Sequence, residues 1–151
     1  MVGELYGVVS RLGGEAFTLA ANAARTAGAN GAAVAGFGRF RRLIMLLSIT
    51  ASATDAGDTL DVYVDGSLDG SSTWFNVAHF PQQAGNGAAV MHVAVLDPSD
   101  PGTATFNVTS DAAAGAVRPA VYAPYLRARW AVVDSGDGNS SHTFSVVGWG
   151  Q

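Results

Sequence analysis

The stretch Thr59–Phe80, TLDVYVDGSLDGSSTWFNVAHF, decides how this chain is read. Its opening residues alternate: Leu60, Val62 and Val64 fall on one side of an extended chain, and Asp61, Tyr63 and Asp65 on the other. An apolar phase of period two marks a half-buried strand, and TWFNVAHF supplies a second one. What joins them, Ser67–Trp74, is the ambiguous part.

Three readings of SLDGSSTW compete. A calcium loop starting at Asp65 would use Ser67, Asp69 and Ser71 and turn at Gly70, but its twelfth position is Asn76, where such a loop needs a bidentate Glu. The flanking segments are also strands rather than helices. The stretch resembles the Asp-box of sialidases, S-x-D-x-G-x-T-W, through Ser67, Asp69, Thr73 and Trp74, although Ser71 stands where that pattern has Gly. In Asp-box hairpins the Asp ties the turn through backbone hydrogen bonds and the aromatic packs beneath it, which is Asx-turn chemistry and not catalysis. A sialidase would need several such hairpins, an arginine cluster and a tyrosine nucleophile; one hairpin is present. The stretch is therefore expected to be a β-hairpin turn.

The same signals recur outward from the hairpin. RFRRLIMLLSITAS carries large apolar residues in both phases from Leu43 to Leu47, so both faces of that strand are expected to be covered, one by core and the other by a second layer or a neighbouring subunit. AAVMHVAVL, ATFNVTS, YLRARWAVVD and HTFSVVGW follow, separated by QAGNG, DPSDPG, DAAAGAVRP and DSGDGNS. Seven or eight short strands with such punctuation predict an all-β antiparallel sandwich. The Ala/Gly-rich segment from Phe17 to Gly38 reads as extended pieces joined by a GANG turn. Residues 1–15 carry four glycines and no sustained period, and are read as an N-terminal arm preceding one β-sandwich domain, residues 16–151.

Composition excludes several classes. Eight Arg and no Lys face ten Asp and two Glu, a formal charge of -4 that argues against a nucleic-acid partner. No apolar run approaches the roughly 18 residues of a membrane span, and no secretory signal is expected. There is no Cys, hence neither disulfides nor thiolate metal sites. Charged residues make up 13% of the chain, about half the usual share, so much of the surface is small and uncharged or is covered by a partner.

Catalytic and metal motifs fare poorly. His79, His92 and His142 lie on separate expected strands without H-x-H or H-x3-H spacing, and no Ser sits in a G-x-S-x-G elbow. The chain is expected to be no enzyme, to hold no cofactor and to require no metal; the acidic turns DPSDP and DSGDGNS could bind an ion weakly but read rather as solvated loop tips. Arg39, Arg41 and Arg42 form the only basic cluster, read either as an interface anchor or as a guard of the apolar strand that follows. Arg127 and Arg129 read as an exposed strand face, and Trp74 and Trp130 as core.

NAARTAGANGAAVAGFGRFRRLIMLLSITA, GDTLDVYVDGSLDGSSTWFNVAHF, RPAVYAPYLRARWAVVD and HTFSVVGWG together resemble a family of small structural proteins of tailed bacteriophages, over about residues 20–149. The pattern carries no catalytic motif, and this sequence departs from it at Ser71 and in a longer, Gly-punctuated N-terminus. The resemblance implies a head decoration (auxiliary capsid) protein with a jelly-roll-like β-sandwich, on the outer surface of the virion, whose partners are the major capsid protein and two further copies of itself in a homotrimer. Leu5, Tyr6, Val8, Val9 and Leu12 give the arm enough apolar surface to dock, and with Arg39, Arg41 and Arg42 they form the expected interface. The other classes weighed are a tail or neck protein of the same fold and a carbohydrate-binding β-sandwich of a host-surface binder, which would need exposed aromatics gathered on one face.

Overall fold

The computed structural model describes residues 14–97, 99, 110–118, 121 and 123–151. Its strands are β1 (Glu15–Arg25), β2 (Ala29–Asn30), β3 (Val34–Ala35), β4 (Leu43–Ala51), β5 (Thr59–Ser67), β6 (Phe75–His79), β7 (Gln83–Ala84), β8 (Val90–Leu96), β9 (Ala116–Val117), β10 (Tyr125–Val133) and β11 (His142–Gly150). Among the described residues the remaining regular element is one 3-10 turn, Phe37–Arg39. The expected arm, with Leu5, Tyr6, Val8, Val9 and Leu12, and most of the expected strand ATFNVTS lie outside the described residues.

All strand pairs are antiparallel. One sheet has the order β1-β11-β4-β8; the other runs β2-β10-β5-β6-β9, with β3 also on β10 and β7 on β5. The two pack face to face. Leu43, Met45, Leu47, Ile49, Phe144 and Val146 from the first sheet meet Leu60, Val62, Val64, Val77, Leu126 and Ala128 from the second in one buried cluster. This is the expected all-β sandwich, and the alternation of β5 sets its inner face as read: Leu60, Val62 and Val64 are at most 1% exposed.

The Ala/Gly-rich segment is extended, as expected, but its break is displaced. The chain bends at Thr26–Gly28, and β2 runs through Ala29–Asn30, inside the predicted turn. Here Ala29 and Asn30 pair with Trp130 and Arg129 of the second sheet, and Gly31 donates its backbone N–H to Ala128 O at 2.7 Å. The close approach to β10 is what this segment's small residues permit: a Cβ on Gly31 would come within 3.0 Å of Ala128 O.

Candidate functional site

The β5–β6 hairpin closes through Asp69. Its Oδ1 accepts the backbone N–H groups of Ser71 and Ser72 at 3.0 and 3.2 Å, and its Oδ2 accepts the Ser72 hydroxyl at 2.6 Å. Ser67 Oγ accepts from Gly70 N at 2.9 Å and donates to Asp69 Oδ1 at 2.8 Å. These donors, the Ser72 hydroxyl first, hold the Asp69 carboxyl well below the usual carboxylate range. Gly70 has φ of 69°, and a Cβ there would stand 2.6 Å from the Tyr125 ring, so both backbone and space call for Gly. The Trp74 indole donates to Ser71 O, and Arg127 lies over its ring at 4.2 Å. Every carboxylate oxygen of Asp69 is spent on the turn, which makes the stretch a folding device as expected.

On the outer face of β5 the polar phase is built into a network. Asp65, only 3% exposed, receives Arg129 Nε at 2.9 Å, Arg127 at 3.4 Å and Asn76 Nδ2 at 3.3 Å. The cross-strand register places Arg127 opposite Asp65 and Arg129 opposite Tyr63. Arg129 also pairs with Asp111 and lies over the Tyr63 ring at 3.9 Å. Its pKa is raised: burial works against the charged form, and the paired Asp65 and Asp111 more than offset it. Next along the face, Tyr63 stacks on His79, whose Nε2 meets Asp61 Oδ1 at 2.8 Å and whose Nδ1 meets Ala112 O at 2.9 Å. Arg127 and Arg129 are thus half-buried ion-pair members, where the sequence suggested an exposed strand face. Alternation located the face; it could not show that β10 would lay two guanidiniums across one carboxylate.

This network has the look of an Asp–His pair but not its chemistry. Both nitrogens of His79 are engaged, so neither is presented to a substrate or a metal. Asp65 is likewise committed to Arg127, Arg129 and Asn76, and is no first ligand of a calcium loop. His92 sits on β8 across from Leu47, and His142 is fully buried on β11. The three histidines do not converge. Among the described residues one group of metal-ligating type does: Asp55, Asp58 and Asp137, from two loops.

The outer face of the four-stranded sheet has a different character. Its register forms two four-residue rows, Ala16–Trp149–Ile44–Val95 and Thr18–Val147–Leu46–Val93, with Ser145–Ser48–Met91 beside them. None of these residues carries a charge. Met91 is 68%, Val93 64% and Trp149 41% exposed, while Ile44, Leu46, Val95 and Val147 are half-buried. The outward phase of β4, expected to be covered, is left without a covering layer among the described residues. Of the basic cluster, Arg39 pairs with Glu15 at 2.6 Å and lies over Phe40. Arg41 and Arg42 extend exposed side chains just before β4, where their backbone N–H groups both donate to Gln151 O. Trp130 packs on the core beneath Arg25, and Trp74 is half-buried under Arg127. Trp149 is thus the exposed tryptophan, without an aromatic partner among the described residues.

Compared with known proteins, the chain matches no family model, no curated protein and no solved structure.

Proposed function

We propose that this chain is a structural component of a tailed-bacteriophage virion: a head decoration protein that binds the major capsid lattice from outside as a homotrimer. The observation that carries the reading is the uncharged outer face of the four-stranded sheet. An open sheet face with Met91, Val93 and Trp149 exposed costs solubility in a free monomer and is useful in a subunit buried by sister copies and a shell. Among the described residues the sheet ends on β8, and its apolar outer face lies beside that end, so association there hides the exposed side chains.

The sandwich is proposed to be a jelly roll. If β2 and β3 count as one interrupted strand, the chain passes between sheets in the sequence β1, β2/β3, β4, β5–β6, β8, β10, β11, with four main strands in each sheet. That interleaving is what two nested Greek keys produce. The polar network supports a non-enzymatic role, since its acids and bases neutralise one another. A carbohydrate-binding module finds less support, because Trp149 does not belong to an aromatic platform.

The test is a pelleting assay with empty capsids. Wild-type protein should sediment saturably with the shells, and Met91→Lys combined with Val93→Lys should weaken that binding at least tenfold while leaving the far-UV spectrum unchanged. Saturable binding that the double variant leaves intact would show that this face is not the contact, and absence of binding would reject the capsid reading. Gold labelling of virions separates head from tail: label on the tail or neck would reject decoration.

A further inference from the structure

Away from that face, at one end of the sandwich, the β4–β5 loop meets the β10–β11 loop. The contact is tight and polar. Asp58, just before β5, is fully buried, and its Oδ1 accepts both the backbone N–H and the hydroxyl of Ser135 at 2.8 Å. The turn beneath it is pinned by Asp58 N donating to Asp55 O and by Gly85 N donating to Asp58 O. Across from it, Asp134 Oδ1 gathers the N–H groups of Gly136, Asp137 and Gly138, which folds DSGDGNS back on itself and fixes where Asp137 sits.

Two observations at this junction point to a ligand. First, one carboxylate oxygen from each of Asp55, Asp58 and Asp137 lies within 4.8 Å of the other two. Oxygens each about 2.3–2.6 Å from one calcium ion are separated by no more than about twice that distance, so the group has the span of a single coordination shell. Second, Asp58 Oδ2 is completely buried and has no hydrogen-bond partner among the described residues. A buried carboxylate oxygen without a donor is costly, and the ion pairs among the described residues involve none of these three acids.

We propose that Asp55, Asp58 and Asp137 form a calcium site that staples the β4–β5 loop to the β10–β11 loop. The donors are all hard oxygens, with no thiolate and no imidazole among them, which favours calcium over zinc. Asn139 donates its side-chain N–H to Asp137 Oδ2 at 2.5 Å, which orients that carboxylate beside the site. Because Asp137 is exposed, waters complete the shell, and the affinity falls in the range of about 10⁻⁴–10⁻³ M found for open sites. The sequence offered half of this site, the acidic turn DSGDGNS that holds Asp137, but not its meeting with Asp55 and Asp58 of the other loop. It is distinct from the Asp65–Asn76 calcium-loop reading, and it departs from the expectation that the protein requires no metal, because a calcium-dependent rise in Tm would run against that expectation.

Calorimetric titration of the chelator-treated full chain with calcium chloride tests the site. One saturable calcium per chain is expected, with magnesium weaker. A free calcium concentration one hundred times Kd should raise the folding constant about a hundredfold, seen as a rise of several degrees in Tm. Asp137→Asn, at an exposed position, should weaken binding at least tenfold without disturbing the fold, and Asp55→Asn should do the same. No saturable binding up to 10 mM calcium, magnesium binding as tight as calcium, or undiminished binding by both variants would each overturn the assignment.

Discussion

Asp65 shows how much a single residue's role depends on strands the eye cannot pair in advance. It falls in the polar phase of β5, yet it is buried beneath Arg127 and Arg129 and also receives Asn76. Asp65→Ala would leave two half-buried guanidiniums without their shared carboxylate. That should cost on the order of 3 kcal/mol, read as a lower denaturation midpoint at unchanged slope; a loss below about 1 kcal/mol would mean that solvent already screens the pairs. His142 is the complementary case. Neither ring nitrogen has a hydrogen-bond partner among the described residues, and burial lowers its pKa from the ordinary 6.5, with Asp58 opposing. The unfolded chain therefore binds a proton on this residue at a pH where the folded chain does not. Stability is fully present above about pH 6.5 and declines as pH falls toward the folded value. His142→Leu should flatten that part of the pH–stability curve and cost little at pH 7.5, because no hydrogen bond is lost. An unchanged slope between pH 6.5 and 5 in the variant would assign the effect elsewhere.

At the scale of elements, legibility followed the clarity of the side-chain period. β4, β5, β6, β8, β10 and β11 were all readable because large apolar residues recur within each, and the hairpin turn was readable because Asx chemistry is local. β2 and β3 were not, since in Ala and Gly the inward and outward phases weigh nearly the same and only the pairing with β10 defines them. The open apolar face was half legible: two apolar phases in β4 signalled a covering, but not that the described residues would provide none. The two phases of β4 can be separated by experiment. Leu47, 0% exposed, faces the core, so Leu47→Ala should cost about 2–5 kcal/mol. Leu46 faces out, so Leu46→Ala should cost less than about 1 kcal/mol in a dilute monomer, where its neighbours Val93 and Val147 are already wet on one side. Equal losses in the two variants at low protein concentration would show that the outer phase is covered within the chain after all.

For the whole molecule, the distribution of charge matters more than its sum. Ion pairs gather in the network over β5, while three rows of the four-stranded sheet carry no charge at all. Such a surface has little to repel a second copy. β8, the last strand of this sheet among the described residues, carries exposed Met91 and Val93. Association that buries this face gains about 25 cal/mol for each Å² of apolar surface removed from water, against the fixed cost of bringing subunits together. The expectation is therefore self-association through the four-stranded sheet; its number, three, comes from the family resemblance. Light scattering of the purified chain at micromolar concentration should give the mass of a trimer, and the combined Met91→Lys and Val93→Lys variant should give that of a monomer. The variant's thermal unfolding should no longer depend on protein concentration, whereas that of the wild type should shift upward as concentration rises. A wild-type chain that scatters as a monomer across this range, with a concentration-independent Tm, would leave the face to be buried only on the shell and would remove the homotrimer from the proposal.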